Sequence, residues 1–365
     1  MSRRSQISLI VLLAALALIV SRPRSITIVS NGVIAEVKNV VEQMVEPKYP
    51  PFDKDAYDAK MLALANLPPP KAAPTSTAAS STAATTTPAV IGPWPVRDAP
   101  YPDPGAVLPF KRVVAYYGNL YSTKMGVLGE YPEEQMLGML MAEVRKWEAA
   151  DPTTPVAPAL HYIAVTAQGS PGEAGMYRLR MPASEIDKVL AMAAKIDALV
   201  FLDVQVGFSN VKAEVPLLEK YLKLPHVHLA LDPEFSMKTG RPPGTVIGTT
   251  DAADINYVAE YLAKIVRDNR LPPKMLIVHR FTQPMLTNAG NIRPLPEVQV
   301  VIDADGFGNA PQKIRTYKDY IAAEPVQFTG FKLFYKNDPN SVGGHLMAPE
   351  EVLRLSPQPS YIQYQ

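Results

Sequence analysis

The sequence predicts an α/β protein whose main domain, residues 110–365, is a (β/α)8 barrel of the TIM type. After Arg112, short apolar runs rich in β-branched residues alternate with helical patterns, as expected of parallel βα units. The region has the usual barrel length of roughly 250 residues. Three of the runs begin after a Leu-Pro pair, at 224–225, 271–272 and 295–296, and proline ends a helix and favours an extended start. An open doubly wound sheet is the alternative that this pattern leaves open.

Residues 1–25 predict export as a signal peptide or a signal anchor. Arg3 and Arg4 form a basic start, and residues 7–20 are almost entirely apolar or small. That run suits the hydrophobic region of a signal peptide and is short for a membrane-spanning helix. The cleavage signal before Arg22 is poor, so both forms stay open. We expect an extracytoplasmic protein, either secreted or anchored in the membrane by this segment; a buried helix of a cytoplasmic protein is the alternative.

Residues 26–67 predict a helical N-terminal region, and residues 68–109 predict a disordered linker. Valine and methionine at helical spacing between 33 and 45 indicate a first helix. The alanine- and leucine-rich stretch 53–67 indicates a second helix, with Asp53 as its N-cap. The linker is rich in Pro, Ala, Thr and Ser and cannot bury enough apolar surface to order itself.

The barrel region divides into eight predicted strands and six predicted helices. We expect strands at 113–117, 157–165, 199–206, 227–231, 275–279, 298–302, 326–334 and 360–364. We expect helices at 133–149, 182–195, 215–224, 252–269, 312–323 and 349–355. No helix follows the eighth strand, and we expect the helix at 53–67 to cover the gap there.

Composition and missing motifs exclude several classes of function. The net charge is +1, which gives no reason to expect a nucleic-acid partner. The chain has no cysteine, so disulfides, thiolate catalysis, thiolate metal ligands and a lipid-modified cysteine are excluded. Neither a phosphate-binding Gly-Lys-Ser/Thr loop nor a Gly-x-Ser-x-Gly nucleophile elbow is present. We expect no cofactor.

Nearly every predicted strand ends in polar residues, at the end of the barrel where active sites lie. Four acids are expected to carry out catalysis: Asp203, Asp232, Glu234 and Asp303. Ten further residues are expected to bind substrate: Tyr117, Asn119, His161, Gln205, His279, Arg280, Asp305, Lys332, Tyr335 and Gln363. Such a density of polar groups predicts a binding or catalytic site at the barrel mouth.

Acid and base roles can be distributed among the four carboxyl groups. Glu234 is the expected general acid, because it follows the fourth strand directly after a proline. Asp232, Asp203 or Asp303 would act as base, nucleophile or charge stabiliser. In the structural alternative, Asp232 and Asp303 cap the following loops or pair with Arg280 and Lys332.

Lys332 and His279 are expected to tune these acids. Lys332 lies among apolar neighbours on the seventh strand, where a counterion role is favoured over Schiff-base chemistry. That strand carries no carboxylate, unlike the seventh strand of the large clan of retaining glycosidases. His279 is expected to hydrogen-bond a neighbouring acid, and a metal site built from His279 and the acids is the alternative.

Five stretches of the barrel region carry a resemblance to a known family. They are Gly-Val-Leu-Gly at 126–129, Ala-Gln-Gly-Ser-Pro-Gly at 167–172, Leu-Asp-Pro-Glu-Phe-Ser-Met-Lys at 231–238, Asp-Ala-Ala-Asp-Ile-Asn-Tyr at 251–257, and Glu-Pro-Val-Gln-Phe-Thr-Gly-Phe-Lys-Leu-Phe-Tyr-Lys at 324–336. With them the chain resembles a family of uncharacterised bacterial exported proteins classed as lipoproteins. The resemblance implies an exported domain and no particular reaction, and this chain lacks the cysteine that lipid attachment requires. A looser resemblance in fold and acids is to glycoside-hydrolase barrels.

Together these observations predict an exported hydrolase of the glycosidase type, acting on a cell-wall or extracellular polysaccharide. The expected partners are that glycan and, if the N-terminal segment is not cleaved, a membrane. A non-catalytic glycan-binding or scaffold barrel is the first alternative. A metal-dependent hydrolase is the second.

Overall fold

Eight parallel strands close into a barrel in this computed structural model, which describes residues 49–66, 94–96 and 99–365. Pro51–Gln365 form one compact unit. The predicted export segment, the first predicted helix and most of the predicted linker lie outside the described residues. Within the described ranges, no helix is both long and apolar enough to cross a membrane.

The barrel strands occur in the order in which they follow one another in the sequence. Strands β1 to β8 are Arg112–Gly118, Val156–Ala167, Leu199–Val204, Val227–Leu231, Lys274–Arg280, Val298–Ala304, Phe328–Leu333 and Tyr361–Tyr364. Each pairs in parallel with the next, and β8 pairs with β1. The predicted (β/α)8 barrel is therefore confirmed, and the open sheet is excluded because no barrel strand is left as an edge.

Helices surround the barrel at the predicted places. Helices α1 to α5 are Lys54–Ala65, Glu133–Ala150, Ala183–Ala194, Ala252–Asn269 and Ala310–Thr316. Shorter helical segments are Val127–Glu130, Glu173–Gly175, Val211–Glu214, Val215–Leu218, Glu219–Leu222, Pro233–Phe235, Gln283–Met285, Ala289–Asn291, Asn337–Asn340 and Pro349–Val352, and the π-helical segment Tyr317–Ala322 continues α5. The helix predicted at 215–224 is broken into short pieces, because Pro216 at the start of the second piece has no N–H to donate.

Three further strands are short and lie outside the barrel wall. Arg178–Arg180 pairs antiparallel with the end of β2, and Thr250–Asp251 pairs with Leu286–Thr287. The last two tie the loop after β4 to the loop after β5. They therefore order the loops near the C-terminal ends of the strands.

Alternation along the strands sorts side chains into an inner core and an outer core. On β1, Val113 and Ala115 pack inside the barrel, whereas Val114 and Tyr116 pack outside against the helices. The outer core includes Leu140 of α2 and the other apolar helix faces. Because both faces of every barrel strand are covered, the strands read as nearly continuous apolar runs.

Helix α1 closes the N-terminal end of the barrel. Asp53 caps it as expected, with Oδ1 accepting the Ala56 N–H at 2.9 Å. Its buried Tyr57 and Met61 pack with the inward-facing residues of the strand starts. The expectation that this helix covers the outer gap beside β8 is wrong. On the outer face of β8, the Trp147 indole of α2 donates to the Tyr364 hydroxyl at 2.9 Å, and the Tyr335 ring stacks on Tyr364.

Residues 94–96 and 99–109 of the predicted linker also pack at this closed end. The Trp94 indole is buried and donates to the Gln327 carbonyl at 3.0 Å. The Gln299 amide, inside the barrel, accepts from the Leu108 N–H at 3.1 Å and donates to the Leu108 carbonyl. The end of the linker region is thus part of the barrel unit.

Candidate active site

A cavity of about 520 Å³ opens at the C-terminal ends of the strands. Its polar lining includes Tyr117, Gln205, Asp232, Glu234, Asp305 and Lys332. Four phenylalanine rings also line it: Phe235, Phe281, Phe307 and Phe334. This volume falls within the range of about 300–1,000 Å³ that is typical of small-ligand sites. The cavity is therefore the candidate active site.

The turn after β4 positions two carboxyl groups. Asp232 follows the strand, and the 3-10 turn Pro233–Phe235 begins at once. Asp232 Oδ1 accepts the Glu234 N–H at 3.1 Å, so Asp232 caps this turn, as the structural alternative expected. The same residue lines the cavity, so capping and site roles coexist.

An amide bridge holds Asp232 against the cavity floor. The Gln205 side-chain N–H groups donate to Asp232 Oδ2 at 3.1 Å and to the Tyr117 hydroxyl at 3.2 Å, and its oxygen accepts the Ala167 N–H. Burial raises the pKa of Asp232 well above its ordinary value, and the nearby carboxylates Asp203 and Asp305 raise it further. This environment favours the neutral acid, which can donate a hydrogen bond to a ligand.

Glu234 lies half-buried in the cavity wall. Burial and, to a smaller extent, the Asp305 carboxylate raise its pKa to about 7, against the opposing effects of Lys332 and His279. Near neutral pH a large share of this carboxyl group therefore keeps its proton. That is the condition for a general acid.

Asp305 is paired with Lys332. The Lys332 ammonium lies 2.9 Å from Asp305 Oδ1 and 3.9 Å from the centre of the Tyr117 ring. Both side chains are nearly fully buried. Lys332 therefore occupies the expected counterion position beside Asp305.

A second polar layer lies directly beneath the cavity. It contains the fully buried side chains of His161, Asp203, His279, Asp303 and Gln363. None of the five lines the cavity. Asp203 and Asp303, predicted as catalytic acids, are therefore not placed to contact a ligand there, and His161, His279 and Gln363 are not placed to bind one.

His279 is the centre of this buried layer. Its Nδ1 lies 3.1 Å from Asp303 Oδ2 and 3.3 Å from Asp305 Oδ2, and its Nε2 lies 3.7 Å from Asp203 Oδ2. Burial alone would lower the pKa of His279, but Asp305, Asp303 and Asp203 raise it to about 9. By contrast, burial lowers the pKa of His161 to about 4. The pKa values of the two imidazoles are therefore shifted in opposite directions, although their ring centres lie only 5.4 Å apart.

Asp203 and Asp303 respond differently to the same burial. Burial disfavours an ionised Asp203, but His161 and His279 outweigh it and lower the pKa of Asp203. Burial raises the pKa of Asp303, although His279 opposes the shift. Both acids face the His279 imidazole, but their surroundings favour the ionised form of Asp203 and the protonated form of Asp303.

A glycine on β7 leaves room for the Asp303 side chain of β6. Gly330 is the residue of β7 opposite Asp303 in the strand register. A Cβ at position 330 would lie 2.5 Å from Asp303 Oδ1 and 3.1 Å from its Cβ. Only glycine at this point leaves the carboxylate in its place.

Two predicted site residues point out of the barrel. Arg280 follows the inward-facing His279 and so faces the opposite way, where it pairs with Glu324 at 2.8 Å. Tyr335 packs against Tyr116 on the outer face, with their hydroxyls 2.9 Å apart. Neither side chain reaches the cavity, so both were assigned to the wrong face.

Asn119, also predicted to bind substrate, braces the loop after β1. Its side chain donates to the Ile163 carbonyl at 2.9 Å and accepts the Tyr121 N–H at 2.8 Å. The side chain is buried and does not line the cavity. Asn119 therefore has a structural position.

Several cavity residues were not predicted. Lys124, Asn337 and Gln365 line the cavity together with Phe334. Gln365 could have been predicted, because it lies two residues after the inward-facing Gln363 and therefore faces the same side. Lys124 and Asn337 lie outside the barrel strands, where no strand periodicity indicates direction.

Comparisons with known proteins give only a weak structural likeness. No protein-family model and no curated protein sequence matches this chain. Among solved structures, it is similar to cellobiohydrolase II (Cel6A) from Humicola insolens in complex with glucose and cellotetraose, at 13% identity and a TM-score of 0.26, covering 49% of this chain and 61% of that chain. A mutant of that enzyme in complex with methyl-tetrathio-alpha-d-cellopentoside shows 12% identity and a TM-score of 0.28, covering 54% of this chain and 63% of that one. The chain thus matches less than two thirds of either structure.

Proposed function

We propose that this protein is a hydrolase of the glycosidase type that cleaves a cell-wall or extracellular polysaccharide in the cavity at the barrel mouth. The observation that carries the proposal is the meeting of Glu234, Asp232 and Asp305 with aromatic rings in one cavity at the C-terminal ends of the strands. Two carboxyl groups in different protonation states are the minimum machinery for glycosidic cleavage. The predicted export segment supports a substrate outside the cytoplasm.

Glu234 is the general acid in this scheme. Its raised pKa, about 7, keeps a proton available for the oxygen of the leaving sugar. Asp305 is the second carboxyl group, because it lines the same cavity and pairs there with the Lys332 ammonium. Asp305 thus takes the role predicted for Asp203 or Asp303, both of which lie beneath the cavity.

Asp232 and the phenylalanine rings would bind the sugar. A neutral Asp232, held by Gln205, can donate a hydrogen bond to a ring hydroxyl. Phe307 lies at the cavity with 65% of its surface exposed, which is unusual for a large apolar side chain. An exposed ring beside carboxyl groups can pack against the apolar face of a sugar.

The direct test is Glu234→Gln in the full chain. We expect hydrolysis of a cell-wall or capsular polysaccharide to fall by about 10²–10⁴-fold, the usual contribution of general acid catalysis. Reducing-end release measures the rate, and binding of the same glycan should persist. The matched control is Glu260→Gln on the exposed face of α4, where Glu260 pairs with the exposed Arg293. Glycan binding without turnover by the wild-type chain would replace this proposal with a non-catalytic glycan-binding barrel.

The pH profile gives a second test. Since Glu234 must hold its proton, turnover should decline as the pH rises through about 7. The decline should be measured as kcat/KM on a soluble glycan. A profile that stays flat across this range would contradict the assignment of Glu234 as the acid.

A further inference from the structure

Three buried side chains beneath the cavity direct ligand atoms toward one another. His161 of β2, Asp203 of β3 and His279 of β5 each offer one atom, and these atoms lie within 4.8 Å of one another. All three side chains are fully buried. We call His161, Asp203 and His279 the buried trio.

The facing atoms of the buried trio lack hydrogen-bond partners. His161 Nε2, His279 Nε2 and both carboxylate oxygens of Asp203 have none within the described part of the chain. Fully buried polar atoms without partners are costly, so their convergence calls for an explanation. The convergence of three buried side chains with unpartnered polar atoms indicates a bound ion or molecule between them.

The spacing fits metal coordination better than hydrogen bonding. Asp203 Oδ2 lies 3.5 Å from His161 Nε2 and 3.7 Å from His279 Nε2, which is long for a hydrogen bond. Ligand atoms held about 2.0–2.2 Å from one ion at a tetrahedral angle lie roughly 3.4 Å apart. The observed distances are close to that edge length.

The outer nitrogen of His279 is held as it is in metal sites. Its Nδ1 faces Asp303 at 3.1 Å and Asp305 at 3.3 Å, and either carboxylate can accept the Nδ1–H. A cation binds the neutral imidazole and displaces its second proton; with the remaining proton on Nδ1, the Nε2 lone pair is directed at His161 and Asp203. A carboxylate behind a ligating histidine fixes its tautomer and makes it a stronger ligand.

The outer nitrogen of His161 has corresponding partners. Its Nδ1 lies 2.6 Å from the Tyr361 hydroxyl and 2.9 Å from the Gln363 side-chain amide. The Gln363 oxygen has no partner among the described residues. A half-turn of this amide lets the oxygen accept the His161 Nδ1–H, which again leaves Nε2 free to bind a cation.

We infer that His161, Asp203 and His279 bind a divalent transition-metal ion of the Zn²⁺ class beneath the cavity. Two imidazoles and one carboxylate suit zinc, cobalt, iron or manganese, whereas magnesium and calcium prefer oxygen ligands alone. The surrounding carboxylates of Asp203, Asp303 and Asp305 add electrostatic attraction for a cation.

Tyr117 separates this ion site from the cavity. Its ring centre lies 5.1 Å from that of His161 and 6.1 Å from that of His279, and its hydroxyl accepts from Gln205, which also holds Asp232. The ion would therefore order the cavity floor from below. This inference does not depend on the proposed function, because metal binding is measured without turnover.

The experiment uses the full chain, dialysed against a chelator and then titrated with Zn²⁺ or Co²⁺. We expect one equivalent bound per chain by elemental analysis, and a visible Co²⁺ absorption band typical of low coordination number. His161→Gln, Asp203→Asn and His279→Gln should each lower the affinity by at least about 100-fold, and Asp303→Asn should lower it by about 10–100-fold. The matched control is His228→Gln. His228 is also a buried barrel-interior histidine, but it accepts the Met275 N–H and is not in the trio.

Two results would overturn the inference. One is a folded wild-type chain that binds neither ion stoichiometrically, and the other is unchanged affinity in the three trio variants. If a variant does not fold, X-ray absorption of the Zn²⁺-loaded wild-type chain decides the question. Two imidazoles and oxygen ligands at about 2.0–2.2 Å are expected, and any other ligand set contradicts the assignment.

Discussion

The two ends of the barrel are built from the same eight strands but use their polar side chains differently. At the closed end, beneath α1, polar side chains bond mainly to backbone groups. Gln299 bonds the backbone of Leu108, and Lys274 donates to the Leu224 and Val227 carbonyls. At the open end, polar side chains bond mainly to one another, as in the Asp305–Lys332 pair.

This difference distinguishes polar side chains that hold segments of the chain together from polar side chains that set each other's ionisation. A side chain that bonds only to backbone groups fixes one segment of the chain against another. Ionisable side chains that face one another shift each other's pKa values, as Asp305 does for Glu234 and His279. Burial alone therefore does not mark the site; the kind of partner does.

The largest effect is expected for Lys332→Met at the open end. Removing one partner of a buried ion pair leaves Asp305 uncompensated and should lower the free energy of unfolding by about 3–5 kcal/mol. Because Lys332 also lowers the pKa of Glu234, its loss should move the decline in turnover to higher pH. Urea unfolding and a pH profile measure the two effects.

The control for this variant is Lys336→Met. Lys336 is four residues away and pairs with Glu130 on the surface, with 64% of its side chain exposed. Its loss should cost about 0–1 kcal/mol. Equal destabilisation by the two variants would break the distinction between the ion pair in the site and the one on the surface.

A smaller effect is expected for Gln299→Leu at the closed end. The change leaves the N–H groups of Val107 and Leu108 without their acceptor, each at 3.1 Å from Gln299 Oε1. We expect a loss of about 1–3 kcal/mol in the free energy of unfolding. Turnover and metal affinity at a permissive temperature should match the wild type. A change in either would show that the closed end influences the site.

The smallest effect is expected for Asp53→Ala, which removes the N-cap of α1. The Ala56 N–H loses its acceptor, and stability should fall by about 0.5–2 kcal/mol. Hydrogen exchange should increase in α1 while the cavity residues keep their protection. Increased exchange at the turn Pro233–Phe235 would mean that α1 also supports the site.

Strand positions were predictable from the sequence because the barrel strands are buried on both faces. Each predicted strand begins and ends within two residues of the observed one, as for β3, which ends at Val204 rather than 206. The place of α1 was not predictable, since its pattern shows that it is a helix but not which surface it covers. Only contacts far apart in the sequence, such as the Asn66 side chain bonding the Leu355 carbonyl, decide that.

The sequence predicts which end of the barrel holds the site, but it does not predict how deep in the barrel each side chain lies. Strand ends identify Asp203, Glu234 and Asp305 equally well, yet the structure places Asp203 beneath the cavity and the other two along it. Height along the barrel axis depends on the shear between strands, which no single strand reveals. Alternation would have excluded Arg280, because it follows the inward-facing His279.

The contact between Gly330 and Asp303 has a consequence for how this site could change during evolution. Any side chain at position 330 collides with the Asp303 carboxylate, which lies behind His279. Substitutions at the two positions therefore have to arise together, or with the smaller residue at 303 first. In related sequences, a residue larger than glycine at position 330 of β7 should therefore occur together with the loss of the acid at position 303 of β6.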